Sequence, residues 1–184
     1  MHYSKTDRAL RLTVFSALLA AISIVCGKYL AFNAGEFIRF SFENLPIIFA
    51  GMAFGPIIGA AVGIVADLVG CLLVGYAINP IITLGAGVIG LLSGIYYFVS
   101  KKGGKGVSVI KLSATVFIAH FIGSVIIKSF GLSVFYDLPL IILMLWRLLN
   151  YLIVGIVEGI ILYHLIKNKR LAHEIASIMK GQRK

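Results

Sequence analysis

Residues 45–76 read LPIIFAGMAFGPIIGAAVGIVADLVGCLLVGY, and what this run forms decides the fold. It is apolar almost throughout, with Asp67 its one charged residue. A membrane-spanning helix needs about 20 such residues, so the run is too long for a single span. Gly55-Pro56 supplies the break, because proline cannot continue a helical hydrogen-bond ladder and a Gly-Pro pair marks a turn. The run therefore divides into segments at 37–54 and 56–75. The apolar part of the first, Leu45 to Phe54, covers only about 15 Å at 1.5 Å per residue. That segment either begins earlier, through Arg39 and Glu43, or does not cross completely.

The pattern recurs on both sides. Further apolar segments lie at 9–32, 80–99, 109–131 and 139–166, which makes six. Of the 184 residues, 60% are hydrophobic and 13% charged, with a mean hydropathy of +1.01. Soluble domains run nearer 45–50% apolar and about 25% charged, so a water-facing surface cannot be assembled here and the natural solvent is a lipid bilayer. Backbone groups in hydrocarbon must be satisfied internally, which leaves helices or a closed barrel. Continuous apolar runs, not two-residue alternation, select helices. The first segment lacks a small-residue cleavage pattern and is too long for a signal-peptide core, so it is read as retained. The expectation is an all-α integral membrane protein: a six-transmembrane-helix bundle in one domain over 1–184, with a basic tail at 167–184.

The net charge of +10 gives the orientation. Lys5, Arg8 and Arg11 precede the first segment, and Lys101, Lys102, Lys105 and Lys111 surround the link between the fourth and fifth. Lys167, Lys169, Arg170, Lys180, Arg183 and Lys184 lie in the tail. An even number of spans puts these thirteen of the 17 basic residues on one side, and the positive-inside rule makes both termini cytoplasmic. Nucleic acid is not an expected partner, since its sites interleave basic and aromatic residues on a soluble face. Cys26 and Cys71 stand in apolar segments and read as packed thiols, with no disulfide framework or metal site.

Lys28, Arg39, Lys128 and Arg147 do not belong to that cytoplasmic set, and under this topology all four converge at the outer end. Charges at membrane depth are costly and point to a site. The plainer alternative has Lys28 and Lys128 reaching to head groups and Arg39 pairing with Glu36 or Glu43. Arg147, Asn150 and Tyr151 share a helix face by i, i+3, i+4 spacing, and Glu158 returns to that face about 16 Å deeper. His120, Ser124 and Lys128, four residues apart, form a second polar stripe that should face the first. Tyr29, Phe32, Tyr76, Phe135, Tyr136 and Trp146 lie near the same end, as an interfacial belt or as stacking partners for a flat ring. Asp67 continues the stripe Gly51, Gly55, Gly59 and Gly63, whose spacing permits close helix approach, so Asp67 should point at a partner helix.

Catalytic motifs are absent: there is no H-E-x-x-H, no G-x-S-x-G and no paired-carboxylate spacing. GGKG at 103–106 lacks the upstream glycine and the Ser or Thr of a P-loop. No catalytic residue, metal or cofactor is expected, and energy for active transport must come from an ion gradient or another subunit.

The stretches IRFSFENLPIIFAGMAFGPIIGAAVGIVADLVGCLL at 38–73 and INPIITLGAGVIGLLSG at 78–94, with basic cytoplasmic ends and Ala17-xxx-Ala21 on the first helix, carry a resemblance. The whole chain resembles the substrate-binding S component of energy-coupling factor (ECF) vitamin transporters, most closely the folate family. The resemblance implies capture of a vitamin from outside and reorientation in the membrane. It also implies a transmembrane coupling subunit and two cytoplasmic ATPase subunits as partners. Ala17 and Ala21 would then be the docking surface. Lys28, Arg39, Lys128 and Arg147 would be the anion contacts, with Tyr76, Asn79, Tyr136, Trp146 and Asn150 completing the substrate-binding set. Folate, with a flat pterin ring and two carboxylates, suits several cations and aromatics. Pantothenate needs only one or two cations and stays open, as does another S-component ligand. Two other classes are a stand-alone proton-coupled carrier using Asp67, Glu158 and His120, and an intramembrane enzyme for which no catalytic constellation exists.

Overall fold

A computed structural model describes residues 5–34, 38–102 and 109–179, and among these it shows seven helical rods and one short hairpin. The first rod is α1, Lys5–Ile24, continued by a π-helical turn at Val25–Tyr29. Strands β1, Phe32–Ala34, and β2, Ile38–Phe40, pair antiparallel with Phe32 opposite Phe40, and those two rings stack at 6.3 Å. Helix α2 then covers only Asn44–Phe54.

This corrects the expected segment 37–54, which is strand and connection before it is helix. Ile38, Phe40 and Phe42 alternate with Arg39 and Ser41, a two-residue period that suits a strand. Helix α2 spans about 16 Å, and ten of its 11 residues are buried. A helix apolar all round belongs inside a bundle, and α2 is its central rod.

Gly55 has φ 99°, a conformation that glycine adopts without a Cβ penalty, and this turn separates α2 from α3, Pro56–Val74, with Pro56 in the first helical turn. Helix α3 buries Gly59, Val62, Gly63, Ala66 and Gly70 along one face, against α4, Pro80–Lys102. The contact is backbone on backbone. A Cβ added at Gly59 would lie 2.4 Å from the Gly90 carbonyl oxygen, and one at Gly63 would lie 2.3 Å from that of Ala86. Gly51 of α2 enters the same contact, since its Cβ would lie 2.3 Å from the Gly90 oxygen. Of the glycine stripe, Gly51, Gly59 and Gly63 pack on α4, as the spacing implied, whereas Gly55 forms the turn and a Cβ there would meet nothing within 4 Å.

The next rod is continuous from Val109 to Tyr136 and has three parts: α5, Val109–Ala119, a π-helical segment His120–Ile127, and α6, Lys128–Tyr136. After a turn with Asp137 at φ 53°, α7 runs over Leu140–Lys167. Among the described residues, four rods are long and apolar enough to cross a bilayer: Thr6–Tyr29, Pro56–Val74, Val109–Tyr136 and Leu140–Lys167. Large apolar side chains such as Ile57, Ile110 and Ile141 are 72–82% exposed, a surface that lipid covers favourably and water does not.

The tail also differs from expectation. Asn168 Oδ1 accepts from the amides of Arg170 and Leu171, an N-cap that opens α8, Lys169–Met179. Leu171, Ile175 and Met179 of α8 pack against the core, and Ile178 is buried in it. Their helical spacing was an amphipathic signal that the surrounding charges masked. Arg11 lies 4.0 Å from Glu174, so the start of α1 and the C-terminal helix occupy the same end of the bundle. Lys105, Lys180, Arg183 and Lys184 lie outside the described residues.

Candidate substrate-binding site

The two π-helical stretches each bring a lysine to the same place. Lys28 belongs to the turn after α1, and Lys128 follows the segment His120–Ile127 directly. Wider π turns shift the phase of the side chains that follow and occur often at functional sites. Here both cations come to a cavity of about 20 Å³, walled also by Ser23, Glu43, Asp67 and Ala86. That volume admits about one water. Two ammonium groups and two carboxylates therefore meet where α1, α3, α4 and α6 converge above α2.

The charges are held by specific partners. Lys128 Nζ donates to Glu43 Oε1 at 2.8 Å and to Asn44 Oδ1 at 3.5 Å. Asp67 accepts from the Thr83 hydroxyl of α4 at 2.6 Å, so its expected helix partner is α4. Lys28 Nζ lies 3.8 Å from Cys71 Sγ and 5.3 Å from the centre of the Tyr76 ring, a cation–π arrangement. Gly70 makes room for it, since a Cβ there would come within 2.9 Å of the Lys28 stem.

The two polar stripes do face each other. His120 Nε2 contacts Glu158 Oε2, and both side chains are almost wholly buried. The His120 ring stacks on Tyr151 at 4.5 Å. Asn44 Nδ2 donates to Ser124 Oγ and Tyr151 Oη, both at 3.4 Å, and so links this pair to Lys128. Removing one partner of a buried hydrogen-bonded pair leaves the other unsatisfied. Glu158→Leu is therefore expected to destabilise the protein by about 1–3 kcal/mol. The double variant His120→Leu/Glu158→Leu should recover most of the loss in a thermal melt. Equal melting points for the single and double variants would contradict this.

The remaining candidates divide. Arg147 Nη1 donates to the Ser124 carbonyl at 3.1 Å, one helical turn from Lys128 and outside the small cavity. Asn150 is buried, Trp146 is 37% exposed, and Tyr76 and Tyr136 are exposed. Asn79 is buried and serves the backbone: its Oδ1 caps α4 through the amides of Ile81 and Ile82, and its Nδ2 donates to Gly131 O at 2.8 Å. Arg39 stands opposite Asn33 in the hairpin, and its side chain lies outside the described residues, as does Glu36. Ala17 and Ala21 are exposed on one face of α1. Sequence reasoning missed Glu43 as a cavity wall and Asn44 as the central hydrogen-bonding residue. The polar pair entering an apolar helix was the available signal.

Apolar rods of spanning length, a buried central helix and an enclosed cluster of opposite charges describe a multi-pass membrane protein with a polar site inside it. Residues 11–166 match the family described as ECF transporter, substrate-specific component, and the chain belongs to that family. It is a family of transporter components, not of enzymes. The chain is 25% identical over 151 residues to the folate transporter FolT of Clostridium novyi (strain NT), covering 82% of this chain and 84% of that protein. A crystal structure of FolT bound with folic acid superposes with a TM-score of 0.69 at 27% identity, covering 91% of this chain and 97% of that one. The fold is shared with an S component for biotin at a TM-score of 0.65 and 16% identity, covering 90% and 96% of the two chains.

Proposed function

We propose that this chain is the folate-binding S component of an ECF importer. It captures folate from outside and delivers it by reorienting in the cell membrane with a transmembrane coupling subunit and two cytoplasmic ATPases. In this reading the bundle has six spans and both termini are cytoplasmic. The observation that carries the ligand is the likeness, over nine-tenths of the chain, to a FolT structure that holds folic acid. Chemistry supports it: Lys28 and Lys128 line one cavity and Arg147 holds the Ser124 carbonyl one helical turn from Lys128, a set of cations apt for a ligand with two carboxylates. Ala17 and Ala21 are the docking surface, since small exposed residues four apart let a partner helix approach closely.

Equilibrium binding to the purified protein tests the ligand. Folate is expected to bind with high affinity, and Arg147→Ala to weaken it by roughly tenfold or more. Absence of folate binding, or binding indifferent to Arg147→Ala, overturns the assignment.

A further inference from the structure

Glu43 is placed where a ligand's own carboxylate would go. Its Oε1 accepts from Lys128 Nζ at 2.8 Å, with the Lys128 side chain 5% exposed and that of Glu43 24% exposed. The carboxylate is thus the solvent-facing half of the pair. Its seat is built for it. Gly27 in the π-helical turn leaves the room, since a Cβ there would come within 2.8 Å of Glu43 Oε2. The Ser23 hydroxyl donates to the Glu43 carbonyl at 2.6 Å, and the Glu43 amide donates to Ser41 Oγ at 3.1 Å. Glu43 also stands between the β1–β2 hairpin and the first residue of α2, on a connection and not inside a helix.

A buried ammonium stripped of its counter-charge is strongly unfavourable. A neutral molecule entering here would have to leave Lys128 unpaired or remain outside it. An anionic molecule replaces one carboxylate by another, and the ammonium stays compensated throughout. We propose that Glu43 is a resident carboxylate on Lys128 that the ligand's anionic group displaces, and that this exchange makes the Lys128 position selective for anions over neutral molecules. The proposal rests on the substrate-binding reading above for its setting, and on the Glu43–Lys128 geometry for its content.

The test uses the full chain in lipid nanodiscs. In equilibrium binding, Glu43→Gln removes the internal competitor while nearly keeping its shape, and folate affinity is expected to rise roughly tenfold. In a Lys128→Met background the same substitution should change nothing. Where the wild type binds folate, unchanged or weaker binding by Glu43→Gln, or an equal effect with and without Lys128, overturns the exchange. A second measurement needs no vitamin. Glu43→Ala leaves a hole beside Lys128, and millimolar formate should raise its melting temperature, but not that of the wild type or of Glu43→Ala/Lys128→Met. No formate effect on Glu43→Ala, or one independent of Lys128, also overturns the exchange. If Glu43→Ala folds too poorly to melt, recovery of folded protein by formate during purification is the same readout. Formate rescue in a protein that binds no folate would reject the folate assignment and leave the exchange standing.

Discussion

Gly90→Ala is expected to leave no stable bundle. In an ordinary helix interior, replacing glycine by alanine favours the helix by about 1 kcal/mol. Here the added Cβ would lie 2.0 Å from the carbonyl oxygen of Gly59 and 2.2 Å from its carbonyl carbon. Both are backbone atoms of α3, so no side chain can rotate away. The two helices must separate, and the Gly51 contact on α2 opens with them. The loss should exceed about 4 kcal/mol and appear as failure to recover monodisperse protein in detergent. Gly159→Ala is the control, because nothing lies within 4 Å of a Cβ there, and it should be neutral or slightly stabilising. Indistinguishable melting of the two variants would show that α3 and α4 are not in backbone contact.

Replacing Ala17 and Ala21 together by tryptophan should reduce uptake to the background of cells lacking the protein while folate binding survives. Both positions are exposed on the same face of α1, beside the exposed side chains of Val14, Leu18 and Val25. On the docking proposed above, two indoles add bulk where close approach of a partner helix requires small residues, and at exposed positions they displace nothing inside the bundle. The readouts are uptake of labelled folate by cells expressing the whole transporter, and binding to the purified variant. Loss of binding along with uptake would assign the two alanines to internal packing. Undiminished uptake would place the docking surface elsewhere.

Much of the arrangement is legible in the sequence. The break at Gly55-Pro56 follows from proline's missing donor, and the close approach at Gly59 and Gly63 and the facing of the His120 and Arg147 stripes follow from periodicity, because a helix repeats every 3.6 residues and lipid tolerates few polar faces. Short elements were less legible. The strand Ile38–Phe40 is too brief for its two-residue period to stand out beside a long apolar run, and the charges of Lys169, Arg170 and Glu174 hid the apolar side of α8. Asn79 read as a ligand contact because a lone polar residue before Pro80 says nothing about whether it faces a cavity or caps the helix it precedes.

By itself the sequence determined the solvent, the helical class, sites of close helix approach and the four basic residues, Lys28, Arg39, Lys128 and Arg147, that stand apart from the basic clusters. These depend on composition and local spacing, which the chain carries wherever it folds. Only the tertiary structure decided which charges meet. Glu43 and Lys128 are separated by 85 positions in the chain, and their pairing depends on two π-helical stretches and on Gly27 leaving a space. No local pattern encodes a contact between distant segments, so the carboxylate that occupies Lys128 became visible only when the helices were assembled.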